Sequence, residues 1–349
     1  MSSDVDFGRP MLVLRRRRIA VRLERRSVVV CAVLVLALAG LAVLALMTGS
    51  YSLGPGEVLS ALTGRETGLM HDIVVEWRLP RVTAALVFGA ALGVSGAVFQ
   101  SMLRNPLADP GIIGFSQGAY TGALIVILVV NGSYGQLAGG ALLGGMVTAL
   151  AVYVLAYRRG VQGFRLIVVG IGVSAMLGSL NTWLILKADL DQAMAAATWG
   201  AGSLNGTSWD QVIIGGICVL VLLPAAGMLS RPMRQMELGD DAAAALGVRV
   251  PAARLGLVVV GVALTATVTA AAGPIAFISL VAPQIARRLA RTAGITLAPA
   301  ALVGALLCLA ADYIAQHVAP TPLPVGIVTV VLGGGYLGWL LFTEARRRL

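Results

Sequence analysis

The side chains able to do acid–base, nucleophilic or metal chemistry are few in this 349-residue chain, and their spacing suits none of these. Cys31, Cys218 and Cys308 are scattered in apolar stretches, without the paired spacing of a metal site or a disulfide framework. Neither His71 nor His317 has a His, Cys or carboxylate at ligand spacing on one helical face; Asp72 follows His71 directly and points elsewhere on a helix. A phosphate-binding loop needs Gly-Lys-Ser/Thr, and the single lysine, Lys187, is followed by Ala188. These patterns predict no catalytic residue, no metal and no cofactor bound by this chain.

The elements around these residues are those of a membrane protein. The chain is 58% apolar and 12% charged, against about 45–50% and 25% in soluble domains, with a mean hydropathy of +0.89. That excludes a soluble globular enzyme. The 5% aromatic content and the lack of alternating strand-length segments exclude an outer-membrane barrel. A bilayer core needs about 20 apolar residues per helix. Ten such stretches are legible: Ser27 to Met47, Pro80 to Met102, Gly111 to Val130, Leu137 to Tyr157, Phe164 to Leu186, Val212 to Leu229, Arg254 to Ala272, Ile275 to Leu289, Leu297 to Gln316 and Pro324 to Phe342. The eighth is short for a full crossing. The pattern predicts an all-α polytopic fold: a basic N-terminal tail, residues 1–26, then one transmembrane domain, residues 27–349.

Charge sets the orientation, because Lys and Arg stay in cytoplasmic loops. With both termini inside, 22 of the 26 basic residues fall on inner segments and only Arg65, Arg78, Arg81 and Lys187 on outer ones. The 16 acids split evenly, leaving +14 inside and −4 outside. Arg15 to Arg18 then read as the inner flank of the first helix rather than a nucleic-acid patch. The expected partner of the whole surface is the lipid bilayer of the cytoplasmic membrane.

Coupled carriers place ionisable residues at mid-membrane, and these spans carry almost none. Energy for any pumping must come from another chain. The place to deliver it is the long inner loop, residues 230–253, where a helix-favouring stretch, Glu237 to Leu246, has an acidic first turn and Gly247 placed as a C-cap. It reads either as a docking element or as a solvated connector.

Several segments carry a family resemblance: EWRLPR (Glu76 to Arg81), ALGVSGAVFQ (Ala91 to Gln100), RNPLADPGIIGFSQGA (Arg104 to Ala119), ELGDDAAAALGV (Glu237 to Val248), GPIAFISLVAPQIARR (Gly273 to Arg288) and PLPVGIVTVVLGGGY (Pro322 to Tyr336). In type and order they resemble the permease subunits of type II ABC importers, the FecCD/BtuC type, which take up ferric siderophores, vitamin B12 and haem. FRLIVVGIGVSAML (Phe164 to Leu177) and the stretch from Asn181 to Trp209 are most similar to permeases of catecholate-siderophore uptake.

The resemblance implies a ten-helix permease paired with a homologous second permease, expected as a heterodimer. It also implies two ATPase subunits that use ATP and Mg, a periplasmic or lipoprotein substrate-binding protein, and a ferric siderophore as cargo. Haem or B12 cargo and an independent secondary carrier are the alternatives. Residue by residue, it implies docking of the binding protein at Arg78 and Arg81, for which interfacial snorkelling is the competing reading. Gln316 stands where the family has a third arginine. It implies ATPase coupling through Gly239, Asp240, Asp241 and Gly247. The translocation path and gate would involve Gly163, Phe164, Asn181 and Trp183; the small residues around them suit close helix packing equally well.

Overall fold

The computed structural model describes residues 11–16, 19–66, 68–111, 114–130, 134–156, 163–292 and 294–348. Within these, side-chain surroundings of residues 11–23, 134, 163–164, 340–341, 344–345 and 347–348 are not described. Two short strands, β1 (Met11–Arg16) and β2 (Ile19–Glu24), pair antiparallel inside the expected tail. All later described elements are helical.

The first is α1 (Arg25–Met47), followed by the short α2 (Pro55–Leu62). A 35-residue rod comes next: α3 (Leu69–His71), a π-helical segment Asp72–Arg78, and α4 (Leu79–Leu103). Pro80 explains the wide turn. It has no N–H for the carbonyl four residues back, and Leu79 N–H reaches Val74 O instead. The indole of Trp209 donates to Val75 O at 2.9 Å, satisfying a carbonyl beside the break.

Next come α5 (Phe115–Ile125), continued by a π-helical turn to Val130, α6 (Tyr134–Ala156), α7 (Gly163–Lys187), α8 (Leu190–Gly200) and α9 (Trp209–Met228). Two short helices, α10 (Ser230–Glu237) and α11 (Asp240–Ala245), lead to α12 (Val250–Ala272), α13 (Ile278–Ala290), α14 (Leu297–His317) and α15 (Val325–Arg348). Among the described residues, seven helices are long and apolar enough to cross a membrane, with two shorter apolar ones at Phe115–Val130 and Val325–Trp339.

Nine of the ten expected spans therefore coincide with apolar helices. The eighth, Ile275 to Leu289, is not one continuous helix. Gly273 and Phe277 both take positive φ, +72° and +68°, with Pro274 between them, so the backbone from Gly273 to Phe277 is irregular and the helix starts only at Ile278. Thirteen residues rise about 20 Å, less than the roughly 30 Å of a bilayer core. Non-helical backbone at that depth is tolerated only when buried in protein. Here Gly273 and Ile275 are buried, the Ala272 carbonyl accepts from Ser203 N–H, and Phe277 packs where Gly333 of α15 has no side chain, while Ala276 is exposed. α2 and α8 were not legible in advance, being too short to carry a hydropathy signal.

The core is built on α4, which lies against α12, α13 and α14. Its contact with α14 is the most extensive, because glycines remove the side chains that would hold the backbones apart. A Cβ at Gly93 would stand 2.2 Å from Ala300 O, and one at Gly304 2.2 Å from Gly89 O. Gly96 is tighter still, 1.7 Å from the Ser279 carbonyl of α13. Gly96→Val must drive α4 off α13, and overpacking of this kind costs about 1–3 kcal/mol or more. We expect a lower unfolding temperature in detergent and weak membrane yield, with Gly40→Val, a helical site with nothing within 4 Å, unaffected by the same assay.

Candidate functional site

At one end of the bundle lie Arg25, Arg26, Arg104, Arg231, Arg234, Arg249, Arg254, Arg287, Arg288 and Arg291, together with the connector between α9 and α12. This arginine-rich end holds the expected coupling residues. The stretch Glu237 to Leu246 is two helices rather than one, broken at Leu238 and Gly239, whose φ of +116° no side-chain-bearing residue adopts comfortably. Met233 and Met236 of α10 are fully buried and anchor it to the bundle. α11 ends in paired C-terminal bonds: Val248 N–H donates to Ala243 O and Gly247 N–H to Ala244 O. Such an ending needs a left-handed residue after the cap, and Gly247 has φ +87°.

Asp240 starts α11 and points inward. Its Oδ1 accepts from Arg104 Nη2 at 3.1 Å and its Oδ2 from Arg254 Nη2 at 2.7 Å. Arg104 terminates α4 in left-handed conformation, and Arg254, buried, is the fifth residue of α12. One carboxylate thus ties the short helix to the ends of two long ones. A second tie is Glu237, which accepts from Ser101 Oγ of α4 and lies against Gly294, before α14. Asp241 faces outward, as do Leu238 and Leu246, 71% and 58% exposed, on either side of α11. The outcome is a small protruding helix, rigidly seated below and apolar above.

Behind it, a buried polar cluster fixes the half-length α13. Gln100 Nε2 donates to Leu280 O at 2.8 Å, Gln284 Nε2 donates to Gln100 Oε1 at 2.5 Å, and Ser279 Oγ donates to Asp109 Oδ1. Sequence reading missed Arg104, Arg254, Glu237, Gln100 and Gln284. The available signal was their polarity inside or beside apolar runs, where an unpaired group is costly.

At the opposite end, Arg78 and Arg81 are occupied by their own chain. Arg78 donates from Nη1 to Leu46 O at 2.7 Å and from Nη2 to Tyr51 O at 2.5 Å, closing the end of α1. Arg81 makes a two-pronged pair with Asp312 of α14, Nε to Oδ2 and Nη2 to Oδ1, both 2.8 Å. Gln316 reaches Asn205 Oδ1 at 3.4 Å. The expected path residues divide in the same way. Asn181 is buried, accepting from Thr121 Oγ1 at 2.7 Å and donating to Gln117 O and Oε1, so it joins α7 to α5. Trp183 is exposed. Gly163 and Phe164 begin α7, and the side chain of Phe164 lies outside the described residues. Among the described residues no group of three or more His, Cys, Asp or Glu could hold a metal ion.

The sequence profile of the FecCD transport family matches residues 33–343. The chain belongs to the FecCD transport family. As a member it is a multi-pass membrane permease, with no catalytic role of its own. It is similar to the ferric enterobactin transport system permease protein FepG of Escherichia coli (strain K12), 49% identical over 93% of this chain and 99% of that one. The iron(3+)-hydroxamate import system permease protein FhuG of Bacillus subtilis (strain 168) is 37% identical over 90% of this chain and 97% of its own. Among solved structures, a metal-chelate type ABC transporter in an inward-facing conformation matches with a TM-score of 0.80 and 26% identity, covering 90% of this chain and 99% of that one.

Proposed function

We propose that this FecCD permease is the membrane subunit of an ATP-driven importer that carries a ferric siderophore of catecholate type across the cytoplasmic membrane. One observation carries the cargo: 49% identity, over nearly the full length of both chains, to a permease named for ferric enterobactin. The partners are a homologous second permease, two ATPase subunits and a periplasmic or lipoprotein binding protein. The arginine-rich end faces the cytoplasm, since retained basic residues mark that side.

Coupling follows from the seated α11. An ATPase groove takes its exposed face, flanked by Leu238 and Leu246. Closure of the ATPase pair moves α11, and the Asp240 bridge passes the movement to α4 and α12 together. Docking can shift the permease between states only through contacts that differ between them; a rigid tie converts that difference into helix movement. Asp240→Ala should leave insertion intact and lower ATP-driven uptake about tenfold, while Asp241→Ala, which breaks no hydrogen bond or ion pair among the described residues, keeps the tie. Uptake equal in the two variants would remove Asp240 from the coupling path.

The binding protein docks at the end that carries Arg78 and Arg81. Both act there by shaping the α1, α4 and α14 surface, since their hydrogen bonds are made inside the chain. The cargo passes along α7 and α15, with Trp183 toward the path, Asn181 holding α7 from behind, and Gly163 and Phe164 at the cytoplasmic entry. The test is reconstitution of the chain with its three partner types in proteoliposomes. Ferric catecholate should enter with ATP and not without it, and in preference to ferric hydroxamate or haem. Uptake by the purified chain alone under an ion gradient would overturn the reading.

A further inference from the structure

A large groove lies outside the α7–α15 path. α6 and α9 both pack on α12 and stand apart from one another, leaving a groove of about 1270 Å³ whose floor is α12. Its walls are apolar: Leu142 and Met146 from α6, Ile214 and Cys218 from α9, Val259 and Ala263 from α12. Along α6 it runs from Gly135 to Tyr153, about 27 Å at 1.5 Å per residue, which is close to the full hydrocarbon depth of a bilayer. The volume exceeds the roughly 300–1,000 Å³ of most small-molecule sites.

The acidic lining residue, Asp210, stands at one mouth, with Tyr153 toward the other. Ser208, Asp210 and Gln211 gather at the end opposite the arginine-rich one, where α9 begins. Asp210 is exposed, and no ion pair among the described residues involves it. The site is a long apolar slot with an acidic rim.

Resting on the orientation proposed above, we propose that the half of the groove next to Asp210 holds one phospholipid of the outer leaflet, its acyl chains lying on α12 and its cationic amine headgroup, as in ethanolamine lipids, against Asp210. Acyl chains lying in the slot gain dispersion contacts along all three helices, and flexible chains fill an irregular apolar volume. Moving a chain from bulk lipid into the groove gains no hydrophobic energy, so preference between lipids has to come from the headgroup. A negative rim selects an amine over an anionic glycerol headgroup.

The experiment is native mass spectrometry of the full chain in detergent. The probes are phosphatidylethanolamine and phosphatidylglycerol of identical acyl chains, added in competition. The wild type should retain one ethanolamine lipid with about fivefold preference, the size one exposed ion pair supplies. Cys218→Trp fills the groove and should cut retention about tenfold. Leu220→Trp, on the exposed lipid side of α9 and outside the groove, should retain it, which separates displacement from misfolding. Asp210→Asn should keep the lipid and lose the preference. Equal retention by wild type and Cys218→Trp, or no headgroup preference in the wild type, means ordinary annular lipid and overturns the proposal. So does cross-linking of Cys218 to another subunit in the assembled transporter, since a protein helix then fills the slot.

Discussion

Gly247→Arg will abolish ATP-driven uptake while leaving the protein inserted and folded. Gly247 follows α11 with φ +87° and has no heavy atom within 4 Å of an added Cβ. A side chain there costs about 1–2 kcal/mol of left-handed strain, which a helix anchored through buried Met233, Met236 and Ala243 can absorb. The guanidinium then projects from the exposed face, between Leu246 and the surface an ATPase must approach. A large cation brought into an interface core is costly to desolvate. Gly247→Ala carries the same backbone strain without the bulk, and should keep most uptake. The measurement is substrate-stimulated ATPase activity of the assembled transporter in proteoliposomes; a normal rate for Gly247→Arg would refute this role of α11.

The second large effect concerns stability. Arg81→Ala leaves the Asp312 carboxylate, 4% exposed as a residue, without its two-pronged partner. Removing one member of a buried pair costs about 3–5 kcal/mol, whereas replacing both by apolar groups of similar size is often neutral. Arg81→Ala should therefore unfold well below the wild type in a detergent melt, and Arg81→Met with Asp312→Leu should recover most of the loss. A single variant as stable as the wild type would show that the pair contributes nothing. The rescued double variant also serves the docking question, because its fold is intact. If it takes up cargo normally, the charge at Arg81 has no part in recognising the binding protein.

These two sites also show what was readable beforehand. Gly247 could be placed as a helix stop from its position after an alanine run, because a left-handed C-terminal residue is a local requirement. Nine spans were readable because a bilayer imposes one simple rule on every segment that crosses it. The eighth was misread as a continuous helix, since Gly273, Pro274 and Phe277 interrupt an apolar run whose average hydropathy still resembles a span. Its irregular backbone is allowed only by neighbours distant in sequence, Ser203 and Gly333 among them.

Arg81 and Asp312 illustrate the other limit. Arg81 was singled out as a docking group, yet it binds Asp312, 231 residues away in sequence. Asn181 was read as facing substrate and is tied to α5. Polarity in an apolar span marks a residue as held by something, without naming the holder.

By itself, the sequence determined that this protein crosses a membrane many times, which end is basic, and where a short helix protrudes between two of the spans. Each depends on residues near one another in the chain and on a single solvent rule. Only the tertiary structure decided that Asp240 joins α4 to α12, that Arg78 and Arg81 are satisfied internally, and that α6 and α9 leave a slot on α12. Those outcomes depend on which helices become neighbours, and that is set by close packing at glycines such as Gly93, Gly96 and Gly304 rather than by apolar character, which every span shares.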